Sequence, residues 1–300
     1  MTGKRFIEIL KEKFGTTFTK VILSLFLIYF LFKSIIPIEE QKEYVILTLY
    51  ITLPKSLPFI PFFFASYYIC AQKMRALGRF SDVLWVLTLL GYVLLVSLSI
   101  KNVDFSAFLP VNNNNTKNII NGSYHATAWF GDGVYLLFLI GEFEWESKSF
   151  LKIMLSYLAN FVLILVFSFL FYCIFSSIAF RQRFAMTEIS KYSSVINSTG
   201  RFDYIAIGIL LLVNIFAISL PLFFACKILQ ELFNIKQNWL CALIINVFAF
   251  LFSYILESQF YYIEQFILNY VGILFIILGN VFPIIFTLMN LGGKNEICKN

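Results

Sequence analysis

The chain has 300 residues, 60% of them hydrophobic and only 13% charged, with a formal net charge of +6 and a mean hydropathy of +0.82. A soluble domain carries about 25% charged residues, so this composition excludes a hydrated globular surface and leaves lipid as the solvent that tolerates it. The Lys and Arg residues lie between apolar stretches rather than on one face, which excludes nucleic acid as the partner and fits the basic loops that set membrane topology.

In chain order, residues 4–14 predict an amphipathic helix lying at the membrane interface. Phe6, Ile9, Leu10 and Phe14 make its apolar face, and Lys4, Arg5, Glu8, Lys11 and Glu12 occupy much of the rest. The charged N-terminus, with no small-residue cleavage site after the first span, gives the expectation of no cleavable signal peptide. A first span is expected over 17–36, stopped by Pro37, and a short helix with an acidic start (Glu39, Glu40, Glu43) over 39–53. Pro54, Pro58 and Pro61 mark the turn into a second span over 58–77, and a third follows over 81–100. A polar loop containing Asn112 to Thr116 precedes a fourth span over 122–141, interrupted at Gly131-Asp132-Gly133. The fifth span covers 150–178 and the sixth 203–230, with a polar segment between them that carries Arg181, Arg183, Glu188, Lys191 and Asn197. The seventh covers 238–257 and the eighth 267–291. Each reaches roughly the 20 residues that a hydrocarbon core requires.

The expected organisation is therefore an interfacial helix over 1–16, a bundle of about eight spans over 17–292 and a tail over 293–300. The basic bias places the N-terminus inside, the 179–201 segment outside and both termini in the cytoplasm. Cys70, Cys173, Cys226, Cys241 and Cys298 form no CxxC pair and read as small apolar fillers.

Four stretches come in a telling order. Leu77-Gly78-Arg79-Phe80-Ser81-Asp82 is followed one span later by Asn102-Val103-Asp104-Phe105-Ser106-Ala107-Phe108-Leu109-Pro110-Val111. The broken helix at Phe130-Gly131-Asp132 comes next, and then Gly200-Arg201-Phe202-Asp203, which opens a long span ending in Leu229 to Phe233. This series resembles the permease-like B subunit of spore germinant receptors, a branch of the amino acid–polyamine–organocation transporter superfamily. The D-x-S-x-F-L-P-V stretch is its most specific part, and the resemblance covers nearly the whole chain. It implies an all-α membrane bundle with the inverted-repeat amino-acid permease fold, lacking its first two helices, since the chain starts at what resembles the family's third span. It also implies a small nutrient ligand such as an amino acid, A-type and C-type germinant receptor subunits as partners, and the spore inner membrane or bacterial cell membrane as location. An independent secondary amino-acid transporter and a non-binding structural subunit remain open alternatives.

The break at Gly131-Asp132-Gly133 is the strongest candidate site, because two glycines around an acid in mid-span are costly for a helix and for lipid. Transporters use such breaks to offer free amides and a positive dipole to an anionic group. On this reading Phe130, Gly131, Asp132, Gly133 and Val134 bind ligand: the amides near Gly133 and Val134 hold a carboxylate, and Asp132 meets an ammonium group or a cation. The family carries Glu at this place. Tyr29 and Ser24 on the first span and Asn214 and Ser219 on the sixth join the list, because polar groups within spans mark interior faces and the corresponding helices of the superfamily line its cavity. Thr17, Thr19 and Lys20 lie near the inner end of the first span, and Ala217 stands where relatives carry a Lys. His125, the only histidine, lacks partners for a metal site, and no metal or cofactor is expected. Pro221 is expected to kink its helix, while Arg79 with Asp82 and Arg201 with Asp203 read as juxtamembrane anchors. Glu142, Glu144 and Glu146 read as a solvated cytoplasmic face. With no nucleophile elbow, metal-ligand spacing or phosphate loop in the chain, an enzyme is not expected.

Overall fold

The computed structural model describes residues 4–48, 54, 57–100, 103–108, 116–129, 131–143, 146, 148–182, 185, 188–189, 203–256, 259, 262, 265–266 and 270–297. Every regular element among them is helical, in keeping with the all-α membrane protein expected from the apolar runs. Helix α1 runs Phe6–Thr48, α2 Phe59–Ala71, α3 Met74–Ser99, α4 Thr116–Trp129, α5 Gly133–Leu139, α6 Ser149–Phe175, α7 Asp203–Phe233 and α8 Asn238–Leu256. Helix α9, Gly272–Ile276, passes through a π-helical turn, Ile277–Val281, into α10, Phe282–Ile297. Among the described residues six stretches are long and apolar enough to cross a membrane: Phe6–Ile46, Met74–Ser97, Ser149–Phe175, Ile207–Phe233, Asn238–Leu256 and Gly272–Met289.

The structure redraws two boundaries. The run from Phe6 to Thr48 joins two helices at a kink, where the sequence predicts three pieces. Its backbone leaves helical geometry at Gly15 (φ 76, ψ 171), a left-handed conformation that glycine adopts without steric cost, and the Thr19 hydroxyl donates to the Gly15 carbonyl at 2.7 Å. Pro37 lies inside the helix rather than ending it. It has no N–H to give the carbonyl of Lys33 one turn earlier, so it loosens the helix there without stopping it. Farther on, α2 closes at the extended Gln72 and α3 begins at Met74. Arg79 and Asp82, expected as juxtamembrane anchors, are exposed residues of the first turns of α3.

The chain forms two compact units. The first comprises Met1–Met74, Asn115–Glu144 and Ala217–Asn300. Its core is a continuous set of aromatic rings. Phe6 packs edge-on against Phe138 (5.0 Å between centroids) and Phe286 (4.9 Å). Phe26 meets Phe138 and Phe282 at 5.3 and 5.2 Å, and Phe30 stacks on Tyr135 and Phe224 at 5.6 and 5.7 Å. Edge-to-face and offset contacts of this kind add to simple burial. Phe6 and Leu10, assigned by pattern to a membrane-surface helix, are completely buried against this core. Their helix is held further by Arg5 Nε to Glu142 (3.1 Å), by an ion pair between Lys11 and Glu231, and by Lys13 Nζ donating to the Met289 carbonyl at 3.1 Å. Glu142 is thus an ion-pair partner and not only part of a solvated acidic face; Glu144 lies outside the described residues.

The same unit buries a charged pair. Glu39 and Lys42 are 1% and 4% exposed and 2.5 Å apart, one helical turn from each other on α1. Ser253 of α8 donates its hydroxyl to Glu39, and the Lys42 ammonium sits 5.2 Å from the Phe59 ring centroid of α2. A second polar set ties α2 to α7 and α8: Ser66 donates to Asn246 Oδ1 at 2.7 Å, and the Cys70 thiol to the Ser219 carbonyl at 3.7 Å.

The second unit comprises Arg75–Asn114 and Trp145–Phe216. Leu95, Phe175, Ala179 and Ile189 make its core, with Phe167, Phe171 and Ile174 packed against them. The motif at Asp104 folds as a local turn. The Asp104 carboxylate accepts from both the amide and the hydroxyl of Ser106, at 2.9 and 2.7 Å, and the Asp104 amide donates to the Cys173 carbonyl at 3.3 Å. That explains the D-x-S spacing as an Asx-type turn. Tyr92 donates to the Leu163 carbonyl at 2.9 Å, joining α3 to α6.

Candidate functional site

The fourth predicted span resolves into α4 and α5, separated around Gly131 and Asp132. Asp132 stands directly before α5 with φ −78 and ψ −10, and its carboxylate makes no capping bond to that helix. Its carbonyl instead accepts from the Tyr135 amide at 3.1 Å. The carboxylate is thus free to reach sideways, where its Oδ1 accepts from Lys33 Nζ at 2.5 Å. The Lys33 side chain is 15% exposed and that of Asp132 53%. The lysine comes from α1, immediately before the turn that Pro37 loosens, and its ammonium lies 5.2 and 5.9 Å from the ring centroids of Tyr135 and Tyr29. Rings within about 6 Å attract a cation through their negative faces.

Tyr29 fixes the break itself. Fully buried, it donates its hydroxyl to the Gly131 carbonyl at 3.2 Å, a carbonyl that the interruption of the helix deprives of its ordinary donor. On the other side the break meets the π-helical turn. A Cβ on Gly279 would lie 3.1 Å from the Gly131 carbonyl oxygen and 3.2 Å from its Cα, and one on Gly131 would lie 3.4 Å from the Gly279 Cα. Two backbones therefore approach as only glycine permits. Asn280 of the same turn donates to the Thr127 carbonyl of α4 at 3.2 Å, across the break. Single π turns recur at functional sites.

Of the residues singled out by sequence, Tyr29, Gly131, Asp132, Gly133 and Val134 come together at the break, and Phe130 lies outside the described residues. Ser24 does not join them: it is exposed, and its hydroxyl donates to the Lys20 carbonyl of its own helix at 2.9 Å. Ser219 is buried, with its carbonyl accepting from Cys70. Asn214 is half-buried on α7 within the second unit. His125 packs its ring against Tyr124 at 5.3 Å. Among the described residues no group of three His, Cys, Asp or Glu is placed to hold a metal.

The sequence reading missed Lys33, Tyr135, Gly279 and Asn280. For Lys33 the signal was present: an ionisable residue inside an apolar span is a site marker by default. What the geometry offers is one acid and one base in contact, ringed by tyrosines, beside a helix break. The arrangement suits recognition of charge.

No curated protein and no solved structure matches the chain. A family model for spore permeases, described as spore germination protein, matches residues 1–261. An all-helical membrane chain with a charged, broken helix at its centre, matched over that length, belongs to the spore germination protein family.

Proposed function

We propose that this chain is the permease-like subunit of a spore nutrient germinant receptor, and that it binds a small nutrient, an amino acid, at the break between α4 and α5. Family membership supports the germination role. The observation that carries the binding role is the Asp132 carboxylate: it is half exposed at a helix interruption, is not spent on capping α5, and is countered by Lys33 alone among the charges described at the break. A carboxylate in a span is costly to keep without a use. On this reading the protein works without catalysis, in the spore inner membrane with both termini in the cytoplasm, beside A-type and C-type subunits.

Affinity purification of a tagged copy from spore membranes tests the assembly. The expected result is recovery of A-type and C-type subunits, together with loss of an amino-acid germination response when the gene is deleted. A lone protein that takes up amino acids after reconstitution into liposomes, with no companions in spores, would place it instead as an independent transporter.

A further inference from the structure

We infer that Lys33 and Asp132 together form a receptor for both charges of a zwitterionic amino acid, Lys33 taking the carboxylate and Asp132 the ammonium group. The inference rests on the reading that an amino acid binds at the break, and it names the group that selects the ligand.

The argument begins with what the pair excludes. At 2.5 Å, Lys33 already occupies the acid that a ligand cation needs. An amine that displaced it would leave a lysine that is 15% exposed without its counter-charge. A carboxylate that captured Lys33 would leave Asp132, which is 53% exposed, to water. Leaving a largely buried lysine without its counter-charge is unfavourable, so the closed pair disfavours ligands that carry only a positive charge. A zwitterion returns a partner to each side and alone replaces what it breaks.

The surroundings suit this exchange. Lysine carries its charge on a flexible four-carbon stem, so its head can swing from Asp132 to a neighbouring carboxylate. The Tyr29 and Tyr135 rings, 5.9 and 5.2 Å from the ammonium, keep it at the site while it moves. The Asp132 side chain is 53% exposed, so it has room for a second cation. The tyrosine hydroxyl on the Gly131 carbonyl and the Gly131–Gly279 contact hold the backbone beneath it. Helix α5 spans seven residues, under two turns, and aligns too few peptide dipoles to hold a carboxylate alone. Lys33 supplies the full positive charge that this helix lacks.

The test uses the full-length protein in lipid nanodiscs. Free L-amino acids at millimolar concentration are screened by thermal shift. For the one that stabilises most, dissociation constants are measured against its carboxamide and its decarboxylated amine. Wild type should bind the free amino acid at least about tenfold more tightly than either one-charge analogue. Lys33→Met should weaken the amino acid by at least about tenfold and strengthen the amine, because Asp132 loses its internal occupant; a residue that only supported the fold would not exchange one ligand for the other. Lys33→Arg keeps the charge and should keep the zwitterion preference. Equal binding of amine or carboxamide by wild type, a comparison that needs no variant to fold, would overturn the inference while leaving amino-acid binding intact. So would unchanged amino-acid affinity in a folded Lys33→Met protein. No thermal shift of wild type with any amino acid would overturn the inference and the binding reading together.

Discussion

Tyr29, Gly131 and Gly279 decide whether the break keeps its shape. A methyl group at Gly279 would press on the Gly131 backbone at 3.1–3.2 Å and on the Tyr29 hydroxyl at 3.1 Å, and backbone cannot step aside as a flexible side chain can. Gly279→Ala should therefore lower stability by about 1–3 kcal/mol, read as a fall in the thermal midpoint of purified protein. Gly78 of α3 has nothing within 4 Å of the same position, so Gly78→Ala should be neutral or stabilising by up to about 1 kcal/mol. Tyr29→Phe removes the hydroxyl that satisfies the Gly131 carbonyl and should cost about 1 kcal/mol. At this scale the site was half legible. Gly131 and Asp132 announced themselves, since glycine and acid inside an apolar run have few structural uses. Gly279 did not, because a glycine among Ile and Leu has no charge to mark it and its role depends on a backbone 148 positions away in sequence.

Among the elements, α1 departs furthest from its pattern. Proline suggested an end at residue 37 and three glutamates suggested a helix start, yet the helix continues to Thr48. The missing reason was tertiary. Glu39 is neutralised by Lys42 one turn on and bonded by Ser253 of α8, so it is buried, while Glu40 and Glu43 are half-buried. Lys42 lies within a local window, but the bond from Ser253 of α8 does not. The pair gives a clear expectation: Glu39→Gln or Lys42→Met alone should each destabilise by about 3–5 kcal/mol, because each removes one side of a buried ion pair. The double variant should recover much of that loss. A thermal-denaturation double-mutant cycle measures the difference, and additive losses would contradict the account. The amphipathic start of α1 was read as two-faced, and Phe6 of its apolar face packs on Phe138 and Phe286. Sequence periodicity reports that a face is apolar and not what covers it.

For the whole molecule, composition alone established an all-helical membrane protein, since chain-wide hydropathy needs no knowledge of contacts. The proposed orientation rests on the distribution of Lys and Arg. With the N-terminus inside, a cysteine placed at exposed Lys117 should react with a membrane-impermeant thiol reagent from outside, and one at exposed Lys148 only from inside. Cys70, Cys173, Cys226 and Cys241 are buried and should add little background once Cys298 is replaced by serine. The reverse labelling pattern would invert the topology. The central claim is that Asp132 belongs to a nutrient site, and the most direct measurement is the germinant concentration for half-maximal response in spores carrying Asp132→Asn, with protein abundance matched by immunoblot. Asparagine keeps the shape and removes the charge. Loss of a charge-assisted hydrogen bond at this half-exposed site, about 1.5–3 kcal/mol, predicts a rise of about tenfold or more in that concentration. Wild-type sensitivity at equal abundance would contradict the account and leave the break as a packing feature of a structural subunit.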